Sequence, residues 1–337
     1  MTHQVQIQGT DVSFACAAGD TLLDAAARSG IELPYSCRKG VCGNCKGRVL
    51  SGALVAGTAG GGAEAGIDAA DEHLFCRAQA GSDLVIEPRS WHRLDPAARK
   101  TFSAKVFKKT LVASDVTVLH LRLPAGLRAK FQAGQYLQVL LPDGQRRAYS
   151  MANPPHESDG LQLHIRHEPG GHFSSGVLPA LQVGDMLQVE LPHGDFWFRE
   201  DSGRPVLMVA TGTGLAPLKS IIDHMLRKKL QLPLRLDWSA RTPEGFYAAE
   251  QIQRWQRQLP GFHYQAVMRQ AAPGMDPAIQ VGQLEDIVAR DLPDLQGWDV
   301  YACGAPAMVQ ALRQRCTHGL GLPAAQFHSD AFVPSTA

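Results

Sequence analysis

Residues Cys37-Arg38-Lys39-Gly40-Val41-Cys42-Gly43-Asn44-Cys45, followed after 30 further residues by Cys76, decide the fold of the first part of this chain. Cys-x4-Cys-x2-Cys…Cys is the plant-type [2Fe–2S] spacing. Gly40 and Gly43 carry no Cβ, so the backbone between the cysteines can approach a four-atom inorganic core with its amides turned toward the sulfurs. Zinc ribbons and fingers pair shorter Cys-x2–4-Cys knuckles instead. Cys37, Cys42, Cys45 and Cys76 are therefore read as cluster ligands, and the chain as a carrier of single electrons.

Working outward, residues 1 to about 90 form one stretch. Val5 and Ile7, then Val12 and Phe14, alternate as two strands do. Thr21 opens a short helix ending at Gly30, with Asp24 three residues on as a capping partner. Strands are expected around Arg48–Leu50 and Leu84–Ile86, a Gly/Ala-rich loop over Gly57–Gly66, and a linker from Trp91 to about Lys100.

From Phe102 to about Phe198 short strands follow one another: Ala104–Val106, Val116–Leu123, Tyr136–Leu141, Leu161–His167 and Met186–Leu191. Their close punctuation by turn residues predicts an antiparallel barrel. From Pro205 onward strands (Val206–Ala210, Leu234–Trp238, His263–Met268, Asp299–Ala302) alternate with helices (Leu218–Lys228, Ala248–Gln258, Gln283–Arg290, Ala307–His318). That alternation predicts a parallel, doubly wound sheet with its ligand at the carboxyl ends of the strands.

Composition fits several folded cores: 337 residues, 45% hydrophobic and 19% charged. A net charge of +1 speaks against nucleic acid and acidic membrane surfaces as partners. No run approaches the roughly 18 apolar residues of a spanning helix, and Met1–Gln8 has neither the basic nor the apolar region of a secretory signal. Seven cysteines without a disulfide framework fit a reducing compartment, so a cytoplasmic location is expected. None of the 13 histidines forms a pair with metal-ligand spacing.

Two more motifs carry chemistry. Arg147-Ala148-Tyr149-Ser150 on a barrel strand is expected to point its Arg, Tyr and Ser one way in space, offering a cation for a pyrophosphate, a ring for an isoalloxazine and a hydroxyl for the flavin edge. Gly170-Gly171-His172-Phe173-Ser174 then turns into a helix whose first amides suit phosphate oxygens. Farther on, Val206–Ala210 runs into Thr211-Gly212-Thr213-Gly214 and a helix bearing Pro217 near its start. This departs from Gly-x-Gly-x-x-Gly at the last glycine. The last strand ends in Cys303-Gly304-Ala305-Pro306, placing Cys303 where a nicotinamide could rest.

Taken in order, these motifs resemble a three-domain ferredoxin–NAD(P)H oxidoreductase, the reductase component of bacterial aromatic-ring-hydroxylating dioxygenases. Tyr35–Gly40, Tyr149–Gly160 and Phe327-His328 are most similar to its terephthalate 1,2-dioxygenase branch. The resemblance implies a plant-type ferredoxin (β-grasp) domain over 1–92, a linker over 93–100, an FAD-binding β-barrel over 101–202, and a Rossmann-like NAD(P)H domain over 203–337 whose tail returns to the flavin. It implies FAD on Arg147, Tyr149, Ser150, Arg166, Gly171 and Ser174, covered by the aromatic ring of Phe332. NAD(P)H would lie over Thr211, Gly212, Thr213, Gly214 and Pro217, with Cys303 and Gly304 near the hydride path. The implied acceptor is a separate Rieske-type oxygenase; similar reductases serve di-iron monooxygenases and deoxysugar dehydratases. A redox sensor without enzymatic turnover is disfavoured, since no sensor or DNA-binding segment is attached.

Nucleotide choice turns on Trp238-Ser239-Ala240-Arg241-Thr242. No carboxylate stands at the strand tip for ribose hydroxyls, Asp237 being inside the strand, whereas Arg241 with Ser239 could hold a 2′-phosphate. NADPH is the expected donor; NADH is the alternative, because Arg occurs here in NADH-using relatives as well.

Overall fold

The computed structural model describes residues 1–58, 72–93 and 99–333. Most of the expected Gly57–Gly66 loop and the middle of the expected 93–100 linker lie outside the described residues. The chain separates into two compact units, one formed by residues 1–98 with 329–333 and the other by residues 99–328.

In the first unit the strands are β1 (Thr2–Ile7), β2 (Ser13–Ala17), β3 (Ile31–Glu32), β4 (Lys46–Ser51), β5 (Glu72–Leu74), β6 (Leu84–Pro88) and β7 (His92–Arg93). Five of them form a sheet in the order β2-β1-β6-β4-β5, with β1 and β6 parallel and the other pairs antiparallel. Helix α1 (Leu22–Arg28) begins where Thr21 Oγ1 accepts from the Asp24 amide at 3.1 Å, as the capping pair predicts. It buries Leu22, Leu23, Ala25 and Ala26. Where a linker was expected to start, β7 instead pairs with β3, and His92 Nε2 stands 3.3 Å from Glu32 Oε2.

The second unit holds two sheets. Strands β8 (Lys100–Ala113), β9 (Val116–Arg122), β10 (Tyr136–Leu140), β11 (Arg146–Ser150), β12 (Gly160–Arg166) and β13 (Met186–His193) are antiparallel, in the order β11-β10-β13-β8-β9-β12. A bridge between Met151 and Leu163 joins the two edges and closes the expected barrel. Leu119, Leu137, Val139, Leu163, Ile165 and Val189 lie wholly inside it. Strand β8 is far longer than its expected Ala104–Val106 core. The alternation of apolar residues stops at Phe107, yet the hairpin with β9 continues through irregularities between Val106 and Lys108 and between Leu111 and Ala113.

After a one-turn helix, α2 (Leu178–Ala180), come β14 (Val206–Thr211), α3 (Leu215–Lys228), β15 (Leu234–Ala240), α4 (Ala249–Gln258), β16 (Phe262–Met268), β17 (Gln280–Val281), α5 (Leu284–Asp291), β18 (Asp299–Gly304), α6 (Pro306–Gln314) and β19 (Phe327–Ala331). Only Phe327 and His328 of β19 belong to this unit. The sheet order is β17-β16-β15-β14-β18-β19, parallel from β17 through β18. Val206–Ala210 are wholly buried, the continuous apolar run of a strand covered on both faces. The chain steps outward from β14 to β17 and then returns to the other side of β14. The switch point thus lies between the carboxyl ends of β14 and β18. No helix among the described residues is long and apolar enough to cross a membrane.

Candidate functional site

In the first unit the four cysteines lie as two neighbouring pairs, Cys37 with Cys42 and Cys45 with Cys76. The neighbouring Cys42 thiol, with the amides of Lys39, Cys42 and Val41, lowers the Cys37 thiol to about 5. The Cys45 thiol, with the Gly40 amide, lowers Cys76, while their partners and burial push Cys42 and Cys45 up. The amides of Lys39 and Cys42 each lie 3.4 Å from Cys37 Sγ. The loop achieves this through left-handed residues at Arg38, Gly40 and Gly43. Among the described residues no three His, Cys, Asp or Glu side chains are grouped for a single metal ion. Two thiol pairs with amides aimed at sulfur are the donor set a two-iron cluster takes, so the residues fit the group.

The loop is held by a segment sequence reasoning missed. Ser36 Oγ donates to Asp330 Oδ1 at 2.5 Å and accepts from the Ala331 amide at 3.1 Å. Asn44 Nδ2 donates to the Ser329 carbonyl, and Asn44 Oδ1 accepts from Ser329 Oγ at 2.8 Å. Residues beside Cys37 and Cys45 are thus tied to 329–331. Phe332, the expected flavin cover, is half-buried and follows directly in this same segment.

On the barrel, Arg147 and Tyr149 fall on one face of β11 by the strand's period of two. Ser150 is out of phase with them, so the strand does not present all three side chains one way as expected. Ser150 is buried at the strand's end, just before the Met151 bridge. Tyr149 stacks at a tilt on Phe173, centroids 5.4 Å apart, and burial raises its phenol. The Gly170-Gly171 turn leads into a π-helical turn, His172–Val177, not a regular helix. Gly171 donates its amide back to the Glu168 carbonyl at 2.8 Å, so that amide is already used. A Cβ on Gly171 would sit 2.4 Å from Ser174 Oγ, which accepts from the Glu168 amide. Arg166 Nε is buried without a hydrogen bond, its nearest carboxylate oxygen being Asp115 Oδ2 at 3.4 Å. A cation nitrogen in that state, with its guanidinium against the Gly212 turn, fits an anionic group such as the pyrophosphate of FAD.

At the switch point, Thr211 Oγ1 accepts from the Ala305 amide at 2.7 Å. Gly212–Gly214 form a 3-10 turn that leads into α3 at Leu215, three residues earlier than expected, with Pro217 buried in its first turn. A Cβ on Gly214 would stand 2.2 Å from the Cys303 carbonyl oxygen, and one on Gly304 2.1 Å from Thr211 Oγ1. The two glycine turns therefore touch backbone to backbone and leave a narrow cradle. Thr213 and Cys303 are buried, Cys303 completely. Ser239 pairs in register with Thr211, and Arg241 is exposed just past the end of β15.

Other contacts were invisible in sequence. Asn153 Nδ2 donates to the Glu157 and Gly160 carbonyls, its Oδ1 accepts from Gln162, and its own carbonyl accepts from Ser220 Oγ at 2.8 Å. Lys219 Nζ donates to the Ala152 carbonyl at 3.1 Å. Helix α3 is thereby fastened to the end of the flavin motif.

Comparison with known proteins agrees with this organisation. Family models match in three places: a 2Fe-2S iron–sulfur cluster binding domain over residues 5–81, an oxidoreductase FAD-binding domain over 103–198 and an oxidoreductase NAD-binding domain over 208–314. The chain is 46% identical over 333 residues, 99% of its length and 98% of the relative's, to terephthalate 1,2-dioxygenase, reductase component 2, of Comamonas. It is 33% identical to the CDP-6-deoxy-L-threo-D-glycero-4-hexulose-3-dehydrase reductase of Yersinia pseudotuberculosis, covering 99% of this chain and 100% of that one. Among solved structures, an Amycolatopsis cytochrome P450 reductase superposes with a TM-score of 0.73 at 31% identity, covering 99% of both chains.

Proposed function

We propose that this chain, which belongs to the iron–sulfur flavoprotein reductases of the ferredoxin–NAD(P) type, delivers electrons to a Rieske-type oxygenase acting on an aromatic ring such as terephthalate, with NADPH as donor. Electron transfer is the chemistry its groups supply when bound: two electrons enter as hydride from NAD(P)H to FAD and leave singly through the [2Fe–2S] cluster. The chain's own residues bind and orient. Cys37, Cys42, Cys45 and Cys76 hold the cluster while the loop amides stabilise charge on sulfur. Arg147, Tyr149, Ser150, Arg166, Gly171 and Ser174 hold FAD; the family resemblance assigns Phe332 as its aromatic cover. Thr211–Gly214, Pro217, Cys303 and Gly304 seat the nicotinamide end, and Ser239 with Arg241 the adenosine end. No side chain need act as acid, base or nucleophile.

The observation that carries this reading is the coexistence, in one chain, of the thiol loop and of the glycine cradle beside Arg166. The acceptor rests on the higher identity to the terephthalate reductase than to the dehydrase reductase. That second likeness keeps a deoxysugar dehydratase as the alternative acceptor. A cytoplasmic site of action accords with seven cysteines that form no disulfide.

The test is anaerobic rapid mixing of NADPH or NADH with the purified holoenzyme, the flavin and cluster bands being followed separately. Flavin bleaching followed by cluster bleaching, faster with NADPH, is the expected result. A reduced flavin beside a persistently oxidised cluster would overturn the conduit. Reoxidation by a terephthalate oxygenase but not by a deoxysugar dehydratase would identify the acceptor.

A further inference from the structure

Four side chains clamp the Gly212 turn against the flavin barrel. His164 and Arg166 are two residues apart on β12 and so share a face of that strand. His164 Nδ1 lies 3.0 Å from the Tyr247 hydroxyl, with the rings edge-on at 5.5 Å. Tyr247 stands edge-on to Trp238 at 5.2 Å, and Trp238 Nε1 donates to the Gly212 carbonyl at 2.9 Å. On the other side of Gly212, the Arg166 guanidinium is so close that a Cβ would meet Nη2 at 2.2 Å. Gly212 is thus gripped by its carbonyl through Trp238 and by its α-carbon through Arg166, with Tyr247 tying Trp238 back to His164 on the same strand as Arg166.

The polar pair inside this clamp needs a reason. His164 is buried, and burial, with Lys219 and His120 nearby, holds its pKa down at about 3, so the imidazole is neutral. Neutral His paired with Tyr adds little net stability over an apolar pair of the same shape, since both groups give up water to meet. What such a bond adds is direction: it permits one rotation and one height of the Tyr ring where Phe against Leu would permit several.

We propose that Tyr247 is a positioning residue for hydride transfer, its hydrogen bond to His164 fixing the height at which the Thr211–Gly214 turn stands over strand β12. This rests on the reading that the turn carries NAD(P)H and the barrel FAD. Tyr247 touches neither reacting atom; it acts through Trp238 and Gly212.

The test uses the holoenzyme with FAD and cluster in place. Tyr247→Phe keeps the ring against Trp238 and removes only the hydroxyl. The expected result is an about tenfold slower flavin reduction at saturating nucleotide, the value of one ordinary hydrogen bond. FAD content and cluster spectrum should be unchanged, and NADP⁺ affinity by calorimetry should move by less than about twofold, the mark of an interaction spent on the reacting geometry. Amide hydrogen exchange over residues 211–214, read without turnover, should accelerate. His164→Leu should reproduce the defect, the double variant should be no slower than either single one, and His164→Asn, whose amide can occupy the Nδ1 position, should restore most of the rate. Wild-type hydride transfer and exchange in Tyr247→Phe would overturn the proposal, as would additive effects in the double variant. If His164→Leu loses FAD, the Tyr247→Phe rates and exchange decide alone. Failure of NAD(P)H to reduce the wild-type flavin would instead refute the functional reading beneath it.

Discussion

Asp237 accepts a hydrogen bond from Arg235 Nε at 2.7 Å, entirely inside the parallel sheet. Arg235 also donates to Asp291 at 2.7 Å. Arg235 thus ties β15 to α5, and Asp237, buried inside the strand with its Oδ2 unpartnered among the described residues, is not at the strand tip. Arg241 is exposed one residue past the strand and is the group proposed to read the 2′ position.

Arg241→Ala should consequently cost NADPH more than NADH. A charge-assisted bond to phosphate is worth about 1.5–3 kcal/mol, so kcat/KM for NADPH should fall roughly 10- to 100-fold. The NADH value should hold nearly constant. Steady-state kinetics with both nucleotides check this, and an unchanged preference would remove Arg241 from the specificity determinants.

The contact between Gly304 and Thr211 makes a second prediction. Gly304 has φ +127 and no room for a Cβ. Gly304→Ala should cost about 1–3 kcal/mol in strain and overpacking. It should widen the cradle enough to raise the NADP⁺ dissociation constant while the barrel keeps its FAD. Calorimetric titration alongside the flavin-to-protein ratio gives the answer; unaltered nucleotide binding would show that the cradle's width does not matter.

What was legible in the sequence was local. The Cys37–Cys45 loop announces itself because its chemistry depends on spacing within one turn of chain, and Val206–Gly214 because a buried strand and its glycine turn are contiguous. Ser150 departs from Arg147 and Tyr149 because a strand changes face at every residue, so the four-residue motif does not act as one unit. Helix α3 starts at Leu215, three residues before Leu218, because the 3-10 turn of Gly212–Gly214 feeds directly into it. The His164–Tyr247 pair joins residues 83 apart, and the ties from Asn44 and Ser36 to 329–331 span nearly the whole chain. Neither has a periodicity or a spacing to betray it.

Acid should expose His164. Its native pKa of about 3, set by burial, lies far below the ordinary 6.5. The unfolded chain therefore binds the proton first as pH falls. Above pH 6.5 the residue contributes no slope; from 6.5 down toward 3 stability should fall, by up to about 1.4 kcal/mol per pH unit. Thermal midpoints of the wild type and His164→Asn across pH 4.5–7.5 measure it. The variant should show the flatter profile, and parallel profiles would mean that His164 is protonated without cost in the native state.

Cys42→Ser separates the two units functionally. Cys42 is buried, pairs with Cys37 and donates its amide to that sulfur. Serine there replaces a soft thiolate with a hard, weakly acidic hydroxyl, and the cluster should be lost or spectrally altered. Residues 99–328 contain the whole of the proposed FAD and NAD(P)H sites apart from Phe332. Flavin reduction by NAD(P)H, and turnover with a small dye that accepts electrons from the flavin, should therefore remain within about threefold of wild type, as for a residue outside the hydride step. Reduction of a protein acceptor should disappear, because single electrons then have no outlet. Rapid mixing, dye turnover and acceptor reduction on one preparation distinguish the cases. If flavin reduction collapsed with the cluster, the first unit would be part of the hydride site. If acceptor reduction survived, electrons would be leaving directly from the flavin, and the four cysteines would need another purpose.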